Sequence, residues 1–573
     1  MNSCYEANRA FSLTERVVFY ILLTLTIISG LTLLSRLNNK FLVTVPDHGG
    51  SVTEGVVGVP RFVNPVLVLS DPDRDLVSLV FSGLLKNTPD GKVVGDLSSE
   101  YTISPDGKTY TFTLRDDINF HDGEPVTTDD VEFTIERIQN PTVKSPKRAV
   151  WEGVLVKKID SRHISFTLKQ PYAPFIENFT LGILPRHIWK DVPPDEFSFS
   201  ELNVDAVGSG PYKVQSVERN SYGLPVRYNL RSFSDYALGK PYLKNISLSF
   251  YQNEDDLFED FKNGDIDSMS GVSPEHLNEL VGSESKIISS PLPRVFGVFF
   301  NQNQATVLLN KEIREALSVA IDKDRIVKEV LYGYGTIIDS AVPISITSSA
   351  TTTGLASLAT TTKTISNTDN ALGILSRAGW KLNAQTGVME KKTNSGVVSL
   401  SFSIATGDAM ELKQAAELIK EDWEKIGAAV ELKVFEIGDL NQDVIRPRKF
   451  DVLFFGEIVG REFDLYPFWH SSQRNDPGLN IALYANITAD KILESLRTTQ
   501  SREERMKKAL EFEKLLKTDM PAAFIYSPDF IYVTPNKLQN VDLGALTNPG
   551  DRFLNVNEWH TETNKVWKFF IQK

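Results

Sequence analysis

The sequence predicts a mixed α/β fold, sheets covered by helices, preceded by one transmembrane helix. Three observations carry that expectation. The run Val17 to Leu34, VVFYILLTLTIISGLTLL, holds 18 residues without a charge. As a helix it would extend roughly 27 Å, close to the hydrocarbon thickness of a bilayer. Downstream, alternating and helical apolar periods intermix instead of segregating. The chain is 41% hydrophobic and 24% charged, which excludes both a mostly disordered protein and a polytopic membrane protein.

At the N-terminus the expected order is a cytoplasmic tail (1–16), a signal anchor (17–34) and a linker (35–50). A cleaved signal peptide is the competing reading, but ISGLTLLSRLNN offers no small-residue cleavage pattern. A lipoprotein would carry its modifiable cysteine after the apolar run, whereas Cys4 lies before it. Arg9 and Arg16 precede the run and Arg36 and Lys40 follow it, so charge leaves the orientation open. Residues 51–573 then form one soluble body on one side of the membrane.

Within that body Tyr101 to Arg115 predicts a hairpin turning at Ser104-Pro105-Asp106-Gly107. Thr127 and Asp130 form a capping box opening a helix with Val131, Ile135 and Ile138 on one face, stopped by Pro141. A second helix starts at Asn310, with Ile313, Leu317 and Ala320 on one side. A β-α-β-β pattern follows: Val398 to Ile404 alternates, Leu412 to Ile426 repeats every three to four residues and ends at Gly427, Val430 to Val434 alternates, and Asp451 to Phe455 reads as a buried strand. Ser501 and Glu504 open another helix. The Ser/Thr-rich stretch 344–370 fits neither period and reads as an exposed loop.

Charge and motifs exclude several functions. Acidic residues outnumber basic ones 74 to 61, a poor balance for neutralising phosphates, so no nucleic-acid partner is expected. A single cysteine removes a disulfide framework and a Cys-based zinc cluster. There is no HExxH, no phosphate-cradling glycine loop, and Gly208-Ser209-Gly210 lacks the spacing of a nucleophile elbow. His121, in a turn-like Phe-His-Asp-Gly context, reads as a structural hydrogen-bonding group. The protein is read as no enzyme, with no catalytic residue, no metal site and no cofactor.

The run Leu97 to Arg137, LSSEYTISPDGKTYTFTLRDDINFHDGEPVTTDDVEFTIER, resembles the signature stretch of family 5 extracellular solute-binding proteins, the dipeptide- and oligopeptide-binding proteins of ABC importers. Collinear segments extend the resemblance from about residue 51 to 540: Asn64-Pro65, LVFSGLL at 79–85, LPRH at 184–187, GSGPYKV at 208–214, IREALSVAIDK at 313–323 and Ala378-Gly379-Trp380. It implies a two-lobed periplasmic-binding-protein-like fold with an extra subdomain in the first lobe. Lobe I would cover 51–291, with the subdomain at about 91–204, and lobe II 292–526. Residues 527–573 would return to lobe I and form the C-terminal tail. Peptides would be captured in the interlobe cleft and delivered to ABC permease subunits by a monomeric receptor. The soluble body would lie on the extracytoplasmic side of the cell membrane, held by a single pass. Alternatives are an oligosaccharide or nickel-chelate binder and a ligand-sensing receptor. In peptide-binding members an aspartate in lobe II pairs with the ligand's α-amino group, and Asp464 is the position carried over. Tyr466, Trp469, His470 and Asn480 are expected around it, and Arg294 is the candidate for a peptide carboxylate.

Overall fold

The computed structural model describes residues 12–280, 285–342, 366–394 and 396–570. Most of the N-terminal tail, with Cys4, and the expected Ser/Thr-rich loop up to residue 365 lie outside the described residues. The apolar run sits inside a longer helix, Leu13–Phe41. Ser12 and Glu15 close a capping box at its start, with the Ser12 amide donating to Glu15 Oε2 at 2.7 Å. None of its side chains is buried, so its apolar surface is a candidate membrane span by length and composition. The segment 35–50, expected as a linker, is regular structure instead. The helix continues to Phe41, and Leu42–Asp47 pairs antiparallel with Glu562–Trp567. Trp567 fixes the junction: its ring stacks on Phe41 at 6.2 Å and its Nε1 donates to Asn38 Oδ1 at 2.9 Å. The partner strand lies over 500 residues away in sequence, which is why composition alone reads as linker.

One extended sheet organises the body. Its strands run in the order Ala429–Phe435, Ser401–Gly407, Val452–Ile458, Arg294–Phe300, Ala522–Pro535, Ser268–Ser270, Gly49–Val57, Leu243–Tyr251, Pro225–Ser232 and Tyr212–Arg219. The 14-residue strand Ala522–Pro535 is shared. Its first half pairs with Arg294–Phe300 and Gly335–Ile337, its second with Ser268–Ser270 and Ser285–Pro291. Apolar cores accordingly fall into two sets. One gathers residues such as Val52, Leu76, Tyr110 and Trp559, with a satellite around Leu257 and Val533. The other packs both faces of the remaining strands, around Leu317 and Trp423 on one side and Leu453 and Trp469 on the other. Between the two halves the chain passes at Leu292 and at Ser527, and these passages are bonded to each other. Leu292 N–H donates to Pro528 O at 2.9 Å and Ser527 Oγ donates to Leu292 O at 2.6 Å.

The expected hairpin is Ser98–Ile103 paired with Thr109–Leu114, in a four-stranded antiparallel sheet completed by His163–Thr167 and Leu155–Lys158. Helix Thr128–Gln139 follows with its Thr127–Asp130 capping box formed. This sheet shares the first core, because Tyr110, Phe112, Trp151 and Phe166 pack on Phe175 and Phe179 of the short helix Ala173–Thr180. Gly210 lets the motif at 208–214 lie on the backbone of Val80, whose carbonyl accepts its N–H at 2.8 Å. A Cβ there would stand 2.6 Å from the Val80 carbonyl carbon. The strand expected from Val398 to Ile404 is two strands. Gly396–Ser399 belongs to a small three-stranded sheet and Ser401–Gly407 to the main one. Leu400, fully buried, donates its N–H to Met389 O at 2.8 Å and carries the chain from one sheet to the other.

The C-terminal return is locked onto the first half by buried charge. Arg552 forks onto Asp75 (Nη1–Oδ1 2.6 Å, Nη2–Oδ2 2.7 Å) and reaches Glu54 Oε1 with Nε at 2.8 Å. All three residues are at most 1% exposed. Tyr532 Oη donates to Glu54 Oε2 at 2.8 Å, which completes the carboxylate's partners.

Candidate functional site between the two halves

The apolar side chains of Ala173–Thr180 decide which residues face the second half. Phe175 and Phe179 are buried in the first core, whereas Tyr172 bonds to Asp464 and Glu177 feels the charges of Arg461, Arg502 and Arg505 in the second half. From the other side, strand Val452–Ile458 leads into the crossing. Val459 N–H donates to Pro293 O at 2.9 Å, and residues 460–464 then run along the interface. Arg461, 1% exposed, donates through Nη2 to Ala545 O at 2.8 Å and Asp551 Oδ2 at 3.0 Å, both on the return segment of the first half. Glu462 pairs with Arg505, both buried.

Asp464 is engaged on both oxygens. Arg497 donates Nε to Oδ1 at 3.0 Å and Nη2 to Oδ2 at 2.7 Å, and Tyr172 Oη donates to Oδ2 across the boundary at 2.9 Å. Burial pulls the Arg497 pKa down, but the Asp464 bonds outweigh it and hold the guanidinium above its usual range. The Arg497 guanidinium lies 3.9 Å over the Tyr466 ring, which also stacks with His470 at 4.1 Å. The geometry therefore makes Asp464 the carboxylate of an ion pair within the second half, tied to the first half by the Tyr172 hydrogen bond.

The other expected residues are placed less favourably for a ligand. Trp469 is fully buried among Phe299, Tyr484, Phe512 and Phe524, so it packs the core and walls no opening. Asn480, also fully buried, donates its amide to His470 O and Tyr484 O and accepts from Tyr484 N–H, which fixes the loop's backbone. His470 is mostly buried, with Nδ1 bonded to Ser472 Oγ at 2.8 Å and Nε2 3.5 Å from Glu494. Arg294 opens the strand after the crossing, and its Nε is enclosed without a hydrogen-bond partner among the described residues.

Unsatisfied polar atoms gather along this boundary. Asn87 Oδ1 and Glu177 Oε1 from the first half, and the Nε atoms of Arg461, Arg502 and Arg505 from the second, are enclosed without hydrogen-bond partners among the described residues. Enclosed polar atoms usually find partners, so such a concentration marks a surface suited to a polar ligand. Glu457, paired opposite the buried Val295 on the strand that leads to the crossing, is a separate case. It is 5% exposed, both its oxygens are unpartnered among the described residues, and burial alone pushes its pKa well up. Its sequence signal was a lone carboxylate inside the apolar run from Val452 to Val459.

Glu177 yields a pH prediction. Burial pushes its carboxyl from 4.5 up to about 7, the nearby Arg461 charge opposing the rise. Separation of the halves would return it to solvent. A carboxyl with a raised pKa in the closed arrangement favours closure fully below 4.5, and this contribution is lost as pH rises through 7. The contribution is roughly 2–3 kcal/mol, discounted for partial exposure. Single-molecule energy transfer between dyes on the two halves should show opening between pH 5 and pH 8, and Glu177→Gln should flatten that trend. Equal pH dependence in both proteins would show that another group governs it.

Two core-bearing halves, joined by hydrogen-bonded crossings and separated by an under-satisfied polar surface, define a solute-binding protein of the periplasmic-binding type. The chain belongs to the bacterial extracellular solute-binding proteins of family 5, matching the family's middle region over residues 92–477. It is 25% identical over 520 residues to the oligopeptide-binding protein AppA of Bacillus subtilis (strain 168), covering 90% of this chain and 92% of that one. It is 29% identical over 409 residues to the nickel-binding periplasmic protein of Escherichia coli (strain K12), covering 69% and 72%. The solved structure of Bacillus subtilis AppA in complex with a nonapeptide superposes with a TM-score of 0.64 at 24% identity, over 90% of this chain and 99% of that one.

Proposed function

We propose that this protein captures peptides between a lobe formed by residues 51–291 with 527–573 and a lobe formed by 292–526. It passes them to an ABC permease while helix Leu13–Phe41 holds it at the membrane. The observation that carries the ligand class is the buried, unpartnered carboxylate of Glu457 beside the crossing. A carboxylate in that position is stabilised by an incoming cation, and a peptide's terminal ammonium or basic side chain supplies one. Asp464, with Arg497 and Tyr172, is the latch that holds the lobes together around the ligand. The oligopeptide-binding relative supports the class. The nickel-binding relative supports the competing chelate reading.

Mass spectrometry of small molecules released from the full-length protein separates the two. Peptides are expected, and a nickel chelate or a sugar as the sole ligand would overturn the proposal. The Glu457 role has its own signature. Because burial favours the protonated form of Glu457, binding an ammonium there should be coupled to proton release. Calorimetry of the released peptide in buffers of different ionisation enthalpy should register that proton. Glu457→Gln should abolish it and weaken binding about 30- to 150-fold. Tight peptide binding with no proton release in the parent would leave the peptide reading standing and remove Glu457 from it.

A further inference from the structure

A cavity of about 670 Å³ opens in the first half, away from the interlobe boundary, and its lining includes Lys213, Arg231, Lys240, Lys244, His48 and Tyr242. The chain carries a net charge of −13, yet four cations converge here. None of the four makes a side-chain ion pair or hydrogen bond among the described residues. Lys213 and Arg231 stand directly opposite each other in the pairing of Tyr212–Arg219 with Pro225–Ser232. Residues so paired share one face of the sheet, and like charges in that relation are destabilising. Of the two lining carboxylates, Asp122 is bonded to His187 at 2.7 Å, and Asp235 is exposed, as are Arg231, Lys240 and Lys244. His121 lies in the wall and stays neutral, since burial pulls its pKa down to about 4. The pocket thus presents solvent-accessible cations without ion-pair partners among the described residues, and an anion there would offset the Lys213–Arg231 repulsion.

Position narrows the anion. His48 lies one residue beyond the strand Leu42–Asp47, which starts where helix Leu13–Phe41 ends. Six extended residues span roughly 20 Å, so the cavity opens on the part of the body nearest that helix. His48 is held there by Pro241 O at 3.0 Å and by a 4.8 Å stack on Tyr242. We propose that this cavity is a second binding site, for a phosphate-bearing anion, independent of the solute taken between the lobes. A phosphodiester lipid headgroup and free phosphate share that chemistry. The test titrates full-length protein in a non-ionic detergent with inorganic phosphate, dihexanoylphosphatidylglycerol and dihexanoylphosphatidylcholine. It compares the parent with a Lys213→Gln, Arg231→Gln double variant and repeats each titration at raised salt. We expect phosphatidylglycerol to bind, with salt weakening it and the double variant lowering affinity by at least about tenfold. Binding of inorganic phosphate alone, lost in the double variant, would support the site with free phosphate as its source. No binding of either anion, binding unchanged in the double variant, or equal binding of phosphatidylcholine would overturn the proposal. Thermal melting of the double variant should match or exceed the parent, because a like-charge pair has been removed.

Discussion

Arg552→Met should lower stability by about 3–5 kcal/mol, the largest effect of any single substitution outside the apolar cores. The arginine is fully buried and is the cation for two buried carboxylates, Glu54 and Asp75. Each comes from a different element: Glu54 from the strand Gly49–Val57, Asp75 from the helix Asp71–Val80 and Arg552 from the return segment Pro549–Phe553. Even with Arg552 present, burial pushes Asp75 from 3.8 up to about 6. Without it the Asp75 carboxyl loses the charge that opposes this rise, and burial would push it up further. The sign follows. The folded-state pKa of Asp75 would lie still further above its unfolded one, so the penalty of the substitution should shrink at pH 5 and grow at pH 8. Guanidinium unfolding followed by fluorescence measures this, with Trp559, 5.6 Å from Phe553 and 6.1 Å from Tyr532, as one of the reporting tryptophans. The triple variant Glu54→Gln, Asp75→Asn, Arg552→Met should recover much of the loss, since it leaves no buried charge behind. A single variant as stable as the parent at pH 8 would contradict the account.

Asp464→Asn should open the ligand-free protein, with a cost on the order of 1.5–3 kcal/mol in closure, or roughly 10- to 150-fold in the closed population. The amide keeps the shape but loses the charge that the Arg497 fork requires. Arg497→Gln should act similarly. The double variant should cost much less than the sum, because either change alone already breaks the pair. Tyr172→Phe removes only the bond across the boundary, so it should loosen closure while leaving the Asp464–Arg497 pair and the second half's melting temperature intact. Small-angle scattering of the four variants beside the parent measures closure directly. Peptide titrations with free and N-acetylated ligands distinguish the competing role. A latch makes Asp464→Asn weaken both ligands by the same factor. An amine anchor makes the free-amine ligand suffer alone. Loss confined to that ligand, with closure unchanged, would restore Asp464 as the ligand's partner.

The sequence by itself determined the parts of this protein that depend on neighbours along the chain. The apolar run at Val17–Leu34, the hairpin around Ser104–Gly107 and the box of Thr127 and Asp130 involve contacts within a few residues, so periodicity and turn chemistry display them. Collinear short motifs carried the family for the same reason: each is local, and their order is preserved. Tertiary structure alone decided the site. Asp464 meets Arg497 33 residues on and Tyr172 292 residues back. Trp469 and Asn480 have the composition of a pocket, yet the packing of Phe299, Phe512 and Phe524 places Trp469 in a core and backbone bonds absorb Asn480. The segment 35–50 looked like a linker because its strand partner comes from residues 562–567. Leu400 divides what alternates as one strand, because its neighbours belong to two different sheets. Glu457 was visible as a lone acid in an apolar strand, but its lack of partners is a property of everything packed around it. Hydrophobic period records which face of an element is buried. Which charges then meet across that burial depends on register and chain crossing, and these are set only when distant segments pack.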